Sequence, residues 1–438
     1  MKTRKYKFID VDLSELLTGA AAALSVRILA IFATFGFTIL AARSLGSDLS
    51  GDFFLGLTIL AVLSKLSRVG TDNALTKFVS ANEETKDYGR VIGSQRRAQY
   101  LVASASIFAA CFLAFFANSL AIYVFDKPRL EGILSAMSIG IPLVALTWVN
   151  AQALKGLKRI GVAVISTALI TPLLAATVLL IFSSQYGLVG VTWSYLAAIV
   201  VAYLFSTYYW ERGKPKTDEP NQSFELTELL SASLPLMGVA VLNLIMVWSG
   251  TLILGVFGSS SDVALYTVAN RTALLISFVL FAINAISAPK FSQLFARQDL
   301  EALQRVYVFS TKLLILTAAP ITLVILMFPE SILSTFGSDF QAGYQALIIL
   351  SLGQFFNAAT GSVATILMMS NLEKTVRNNA TVATLANLTL NILLVPSMGI
   401  TGAAIATCSS LVLQNCLNAY SVWKNHRISP LQIFIRST

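Results

Sequence analysis

Residues 263–288 read VALYTVANRTALLISFVLFAINAISA. The run is long and apolar enough to cross a bilayer as a helix, because a hydrocarbon core of about 30 Å needs roughly 20 such residues. Arg271 nevertheless stands inside it, preceded by Asn270 and followed by Asn284. At helical rise its Cα lies about 12 Å into the span. An arginine at the bilayer centre costs at least ~2.5–3.5 kcal/mol, so its presence calls for a physical reason. One reading places it on a water-filled cavity that receives an anion. The other is a structural arginine capped by carbonyls and the nearby amides. Snorkelling falls short, since the head would climb about 12 Å and the side chain reaches roughly half that.

The rest of the chain has the same character. Of its 438 residues, 56% are hydrophobic and only 12% charged, against roughly 25% charged in a soluble protein. The composition is that of an all-α polytopic membrane protein. Twelve apolar segments can be read, at 17–41, 51–70, 98–124, 133–155, 160–183, 187–210, 229–257, 263–288, 308–328, 343–370, 376–396 and 400–423. Each is near the length a spanning helix needs. The connection 71–97 is polar and mixed in charge. The stretch 211–228, containing GKPKTDEPNQS, reads as an exposed joint. The expected domains are residues 1–210 and 229–438, each holding six spans, with 211–228 as a cytoplasmic linker.

The net charge of +9 is read by location. With twelve spans and a cytoplasmic N-terminus, the loop lysines and arginines gather on the cytoplasmic side, and only Arg43, Lys127 and Arg129 fall opposite. That bias puts both termini inside, and it reads the charge as topology rather than nucleic-acid binding. No cleavable signal is expected at MKTRKYKFIDVDLSELL, because a full-length span follows.

The halves repeat. Gly46-Ser47 and Gly258-Ser259 stand 212 residues apart, and so do the glycine pairs of Gly187-Leu188-Val189-Gly190 and Gly399-Ile400-Thr401-Gly402. Trp210 and Trp423 close the halves one residue off that register and fit an interfacial belt. Six spans per half give repeats of the same orientation, related by a pseudo-two-fold axis along the membrane normal, with the substrate site expected between them.

Arg27, roughly 15 Å into the first span, is the companion of Arg271. Two arginine forks converging on one cavity suit phosphate or pyrophosphate; the alternative for Arg27 is snorkelling in a tilted helix. Lys65 and Arg68 share a helix face at i and i+3, Arg68 as an interface anchor and Lys65 either on the cavity or snorkelling. Amides are plentiful in the spans: Asn150, Gln152, Asn243, Asn270, Asn284, Gln354, Asn357, Asn387 and Asn391. They could line a sugar path, although bonding between helices is the usual role of an intramembrane amide. Trp148 and Trp248 could stack on a sugar ring or pack in the core. Pro172, Pro235 and Pro320 introduce kinks, either hinges or static curvature.

No aspartate or glutamate stands mid-span; Asp52, Asp262, Glu330 and Asp339 are at edges. With a single histidine, His426, outside the spans, an intramembrane proton relay or cation site lacks its usual ligands. There is no Walker A pattern, and Cys111, Cys408 and Cys416 have no metal spacing, so neither cofactor nor metal is expected.

Several motifs carry a family resemblance: the R-x-L at Arg27, LAARSLGSDLSGDFF, SLPLMGVAVLN, FGSSSDVALYTVANR, INAISAPKFSQLFARQD and the final VPSMGITGAAIATCSS. Together they resemble the polysaccharide-transporter branch of the multidrug/oligosaccharidyl-lipid/polysaccharide (MOP) exporter superfamily, and most of all the Wzx-type O-antigen flippases of bacterial inner membranes. The resemblance implies a MATE-like fold of two six-helix bundles around a cationic cavity. It implies a non-enzymatic flippase that moves an undecaprenyl-pyrophosphate-linked oligosaccharide to the periplasmic leaflet. The implied partners are that lipid, the bilayer and the polysaccharide polymerase and chain-length machinery. The residues assigned to the substrate on this reading are Arg27, Arg271, Lys65, Arg68, Asn270, Asn284, Asn243, Gln152 and Asn357. The rivals are a cation-coupled multidrug exporter of the same fold, for which the arginines have the wrong sign, an exporter of a teichoic-type lipid-linked precursor, and a membrane glycosyltransferase or ligase, for which the loops are too short.

Overall fold

The computed structural model describes residues 13–182, 187–216 and 225–428, and these residues form helices and connecting turns without a strand. Nine of the described helices are long and apolar enough to cross a membrane, and a bent pair makes a tenth. Two of the nine, α1 (Leu13–Leu66) and α14 (Glu373–His426), run for 54 residues each. At helical rise that is about 80 Å, far beyond one crossing. Both are broken into two helices at a glycine: Gly46 at φ 71° in α1 and Gly399 at φ 55° in α14. A side chain is strained at such angles, so glycine is the residue that lets the chain turn there. Each long helix is therefore two spans, and the twelve segments of the hydropathy pattern are accounted for.

The chain runs on through α2 (Thr71–Glu84), α3 (Tyr88–Ser119), α4 (Leu130–Gly156), α5 (Ile160–Val164), α6 (Ile170–Phe182) and α7 (Gly187–Gly213). A π turn, Ile165–Leu169, joins α5 to α6. The second half has α8 (Leu226–Phe257), α9 (Ser260–Ala296), α10 (Leu300–Met327), the short α11 (Pro329–Ser334), α12 (Tyr344–Ala359) and α13 (Val363–Met369) before α14. Within the first half α4 packs on α1, α3 and α7; within the second, α12 packs on α9, α10 and α14. The two halves meet mainly along α1 and α9. Large apolar side chains such as Phe108, Phe115 and Leu316 point outward, 74%, 80% and 71% exposed. Such a surface suits hydrocarbon rather than water.

The repeat extends beyond the glycine pairs. Lys86 (φ 59°) and Gln298 (φ 58°) hold the same left-handed turn 212 residues apart. Each precedes an aspartate that caps the next helix: Asp87 accepts from the Arg90 N–H at 3.0 Å, and Asp299 from the Ala302 N–H at 2.9 Å. Gly187 and Gly399 also match, at φ 50° and 55°. Gly46 and Gly258 differ, since Gly258 is extended at φ −110° and separates two helices.

Three expectations change. The polar connection 71–97 is mostly helical, because Ala74, Leu75 and Val79 give α2 a buried face and Asp87 caps α3. The segment 343–370 is not one straight span; it bends by 43° between α12 and α13, at Gly361 (φ 73°). Trp210 is 3% exposed, packed with Leu154 and Leu229, and so belongs to a core rather than to an interfacial belt. Trp423, 44% exposed with Arg427 over its ring at 5.5 Å, does sit at a surface. The expected joint 211–228 falls partly on residues 217–224, outside the described residues.

Candidate substrate cavity

A cavity of about 590 Å³ lies where the two halves meet. The first arm of α1 supplies Arg27, Ala30, Ile31, Thr34 and Phe37, a stripe at helical spacing. From α9 come Arg271, Leu274, Leu275, Ser277 and Phe278, again one helix face. Tyr195 and Ile199 on α7 and Thr171 and Pro172 on α6 complete the wall. The two arginines singled out in the sequence, from opposite halves, thus line one chamber. The lining is mostly from the first half, with α9 as the face that the second half contributes.

Pro172 has no N–H to offer the carbonyl four residues back, and that carbonyl belongs to Ala168, which also lines the cavity. The preceding turn widens to a π turn, closed by the Ile170 N–H on the Ile165 carbonyl. The effect of the proline is local and falls on the cavity wall, as π turns at functional sites commonly do.

Arg271 is held in a defined pose. Its Nη1 donates to Thr38 Oγ1 at 2.5 Å, and its guanidinium lies over the Phe54 ring at 5.1 Å. The Thr38 hydroxyl donates to the Thr34 carbonyl at 2.7 Å, which turns its lone pairs toward the guanidinium. Among the described residues no carboxylate lies within ion-pair distance of Arg271. An arginine has five N–H donors in a planar fork, so most remain for an anion in the chamber. Phe37 and Phe53 pack on Tyr195, at 5.4 and 6.1 Å between centroids. Thr38, Phe54 and Tyr195 had no signal in the sequence, because a hydroxyl or a ring in an apolar span reads as packing until its partner is known.

The amides divide. Asn357 stands one contact behind the wall: its Nδ2 donates to Ser277 Oγ at 3.4 Å, and Ser277 donates to Gln354. Asn415 Nδ2 donates to Asn357 Oδ1 at 3.0 Å and extends that ladder away from the chamber. Gln152 accepts from Thr76 Oγ1 at 3.0 Å and ties α4 to α2. Asn150 bonds to Gln95, Ser206 and Thr207, between helices. Asn284 is half-buried with its Oδ1 unbonded, Asn270 is half-buried on α9 and Asn243 is exposed on α8; none of the three lines the chamber.

Lys65 and Arg68 do not line it either. They stand at the end of the bundle where α1 and α4 finish, hereafter the basic end. Arg68 is 4% exposed; its Nη1 lies 3.1 and 3.0 Å from the two Asp72 oxygens, and its guanidinium is 4.4 Å from the Trp148 ring centre. Lys155 approaches the same ring at 5.6 Å. Beside them Arg90 of α3 grips Glu228 of α8 through both carboxylate oxygens, at 2.6 and 2.7 Å.

At the opposite end the halves lock. Lys127 donates to the carbonyls of Phe125 (3.0 Å), Gly255 (2.7 Å) and Gly258 (2.8 Å), the last two at the end of α8. Ser260 donates to buried Asp52, and Arg43 Nε donates to the Thr335 carbonyl at 2.6 Å. Burial pulls the Lys127 pKa below its ordinary value, and Asp52, Asp126, Asp262 and Asp48 push it back.

Known proteins agree with this architecture. Residues 16–295 match the family described as polysaccharide biosynthesis protein, and residues 235–393 match the MatE family. A probable low-salt glycan biosynthesis flippase, Agl15 of Haloferax volcanii, is 24% identical over 387 residues, covering 86% of this chain and 77% of the relative. Among solved structures, the lipid II flippase MurJ in an inward closed conformation superimposes with a TM-score of 0.77 at 14% identity, covering 96% of this chain and 89% of that one. An inward-facing multidrug resistance MATE transporter of the MOP superfamily follows with 0.71 at 13% identity, covering 96% and 100%.

Proposed function

Because the chain belongs to the polysaccharide biosynthesis protein family, we propose that it is a flippase of the MOP superfamily for a polyprenyl-pyrophosphate-linked oligosaccharide. The carrier is undecaprenyl pyrophosphate and the cargo an O-antigen or related repeat unit, moved from the cytoplasmic to the periplasmic leaflet of a bacterial inner membrane. The basic end faces the cytoplasm, with both termini, because the loop lysines and arginines gather there.

The observation that carries this reading is the chamber itself: Arg27 and Arg271, from opposite halves, line one cavity, and no carboxylate among the described residues lies within ion-pair distance of Arg271. A cation would meet repulsion there, and a pyrophosphate would meet paired donors. The volume is within the range of about 300–1,000 Å³ that encloses a compact polar headgroup. It leaves the prenyl chain in lipid. No bond is made or broken; the two bundles, residues 1–210 and 229–438, rock about the 211–228 joint to expose the chamber to each side in turn. Agl15, a probable glycan biosynthesis flippase, supports the class of cargo.

The test is complementation of a strain lacking its own O-antigen flippase, read as lipopolysaccharide ladders. Restored ladders, lost in Arg271→Ala and kept in Arg271→Lys, are expected. Ladders that persist in Arg271→Ala at normal protein level contradict the anion chamber.

A further inference from the structure

The basic end holds cations that the chamber does not use. Arg68 and Lys155 face the Trp148 ring there, and among the described residues the carboxylate that acts on both of them and on Lys65 is Asp72. Asp72 is already committed, since both its oxygens lie against Arg68 Nη1. The charges that act on Lys155 are Asp72, Arg27 and Arg68, two of them of its own sign. Lys155 is half-buried at the last turn of α4, and its described contact is the Trp148 face; among the described residues it has neither hydrogen-bond acceptor nor ion-pair partner. Lys65, half-buried one turn before Arg68, is in the same position. The Arg68 Nε is buried without an acceptor.

An ammonium withdrawn from water beside two guanidinium groups is unfavourable unless an anion supplies what the protein withholds. A ring face offsets only part of this. Compare the lysine at the other end, where all three N–H groups reach carbonyls. The chain satisfies the buried Lys127, whereas the half-buried Lys65 and Lys155 have no such acceptors among the described residues. Arg27 connects the cluster to the chamber, lining the latter while acting on Lys155.

We infer that Lys155, with Lys65 and Arg68, forms a second anion site at the basic rim of the chamber that takes a lipid phosphate headgroup before it reaches Arg271. Trp148 is its floor and Asp72 holds Arg68 in place, so that Lys155 and Lys65 are the groups that move onto the phosphate. The order of events rests on the flippase reading; the binding itself does not. Two sources carry this chemistry, the pyrophosphate of the cargo and the headgroup of an anionic phospholipid in the same leaflet.

The experiment uses the full chain in phosphatidylcholine nanodiscs, titrated calorimetrically with farnesyl pyrophosphate. Two components are expected. Lys155→Gln weakens one of them by about tenfold or more, Lys155→Arg restores it, and Arg271→Gln removes the other. Unchanged thermal unfolding in Lys155→Gln separates loss of the site from loss of the fold. Nanodiscs with added phosphatidylglycerol identify the source: a Lys155-dependent component competed away belongs to phospholipid, and one that survives belongs to the pyrophosphate cargo. Titrations in which Lys155→Gln and Lys65→Gln each leave both components at wild-type strength in both lipids overturn the site. A chain that keeps the Lys155-dependent component but moves no lipid-linked sugar retains the rim site and loses the flippase reading.

Discussion

The two ends of the α1–α9 seam use the same residue types to opposite purpose. At the far end every cation is spoken for: Lys127 by three carbonyls, Arg129 by Asp48 at 3.0 Å and Arg43 by the Thr335 carbonyl. Two of those three, Lys127 and Arg43, join one half to the other. At the basic end Lys65 and Lys155 stand beside like charges and, among the described residues, lack such partners. A satisfied buried charge holds structure in one arrangement, whereas an unsatisfied one is a place for a ligand. The far end is therefore built to close, and the basic end to receive.

Breaking the far end should have the largest effect. Gly51 packs so tightly on the start of α9 that an ideal Cβ would lie 1.7 Å from the Ser260 carbonyl oxygen. That neighbour is backbone and cannot swing aside. Gly51→Val should cost the closed arrangement ~3 kcal/mol or more, above roughly 100-fold in the population open at the far end. The readout is a cysteine at Thr34 on the chamber wall, in a chain cleared of Cys111, Cys408 and Cys416. Its labelling by an impermeant maleimide applied from the far side reports opening. Lys127→Met comes next. It removes charged hydrogen bonds to the end of α8, and the same labelling should rise by roughly 30- to 150-fold, or about 2–3 kcal/mol. Unchanged labelling in both variants would mean that the far end is not where the seam parts.

The smallest effect sharpens the contrast from outside the seam. Gln152→Leu removes the Thr76 bond between α2 and α4. An interhelical bond of this kind is worth about 0.6 kcal/mol on average, so stability should fall slightly and transport should stay at wild-type rate. A transport defect with normal protein level would return Gln152 to the cargo path.

How far the sequence foretold this depends on what each feature needs in order to be seen. The spans and the repeat are local: apolar length marks a crossing, and a glycine turn at a fixed spacing marks its counterpart. Arg27 and Arg271 were legible because a charge in an apolar run demands a reason wherever it packs. Lys127 was legible only as a topology marker, since two of its three acceptors lie at the end of α8, more than a hundred residues along the chain. Lys155 reads the same way in the sequence, as one more basic residue at a span end, because Trp148, Arg68 and Asp72 are brought to it only by the fold. Thr38 and Tyr195 gave no signal, and Gln152 gave an ambiguous one that its Thr76 bond turns toward packing. Trp210 was misplaced by its position at a span end, where an aromatic belt and a buried ring look alike.

The most direct measurement is flipping itself. The purified chain would be reconstituted into liposomes with a fluorescent polyprenyl-pyrophosphate disaccharide, and the fraction reached by an impermeant quencher followed over time. Wild-type protein should expose the probe in the outer leaflet well above protein-free vesicles. Arg271→Ala should fall to the protein-free rate, with Arg271→Lys between the two. Equal rates for wild type and Arg271→Ala, at equal reconstitution, would contradict the account that the chamber works by holding an anion.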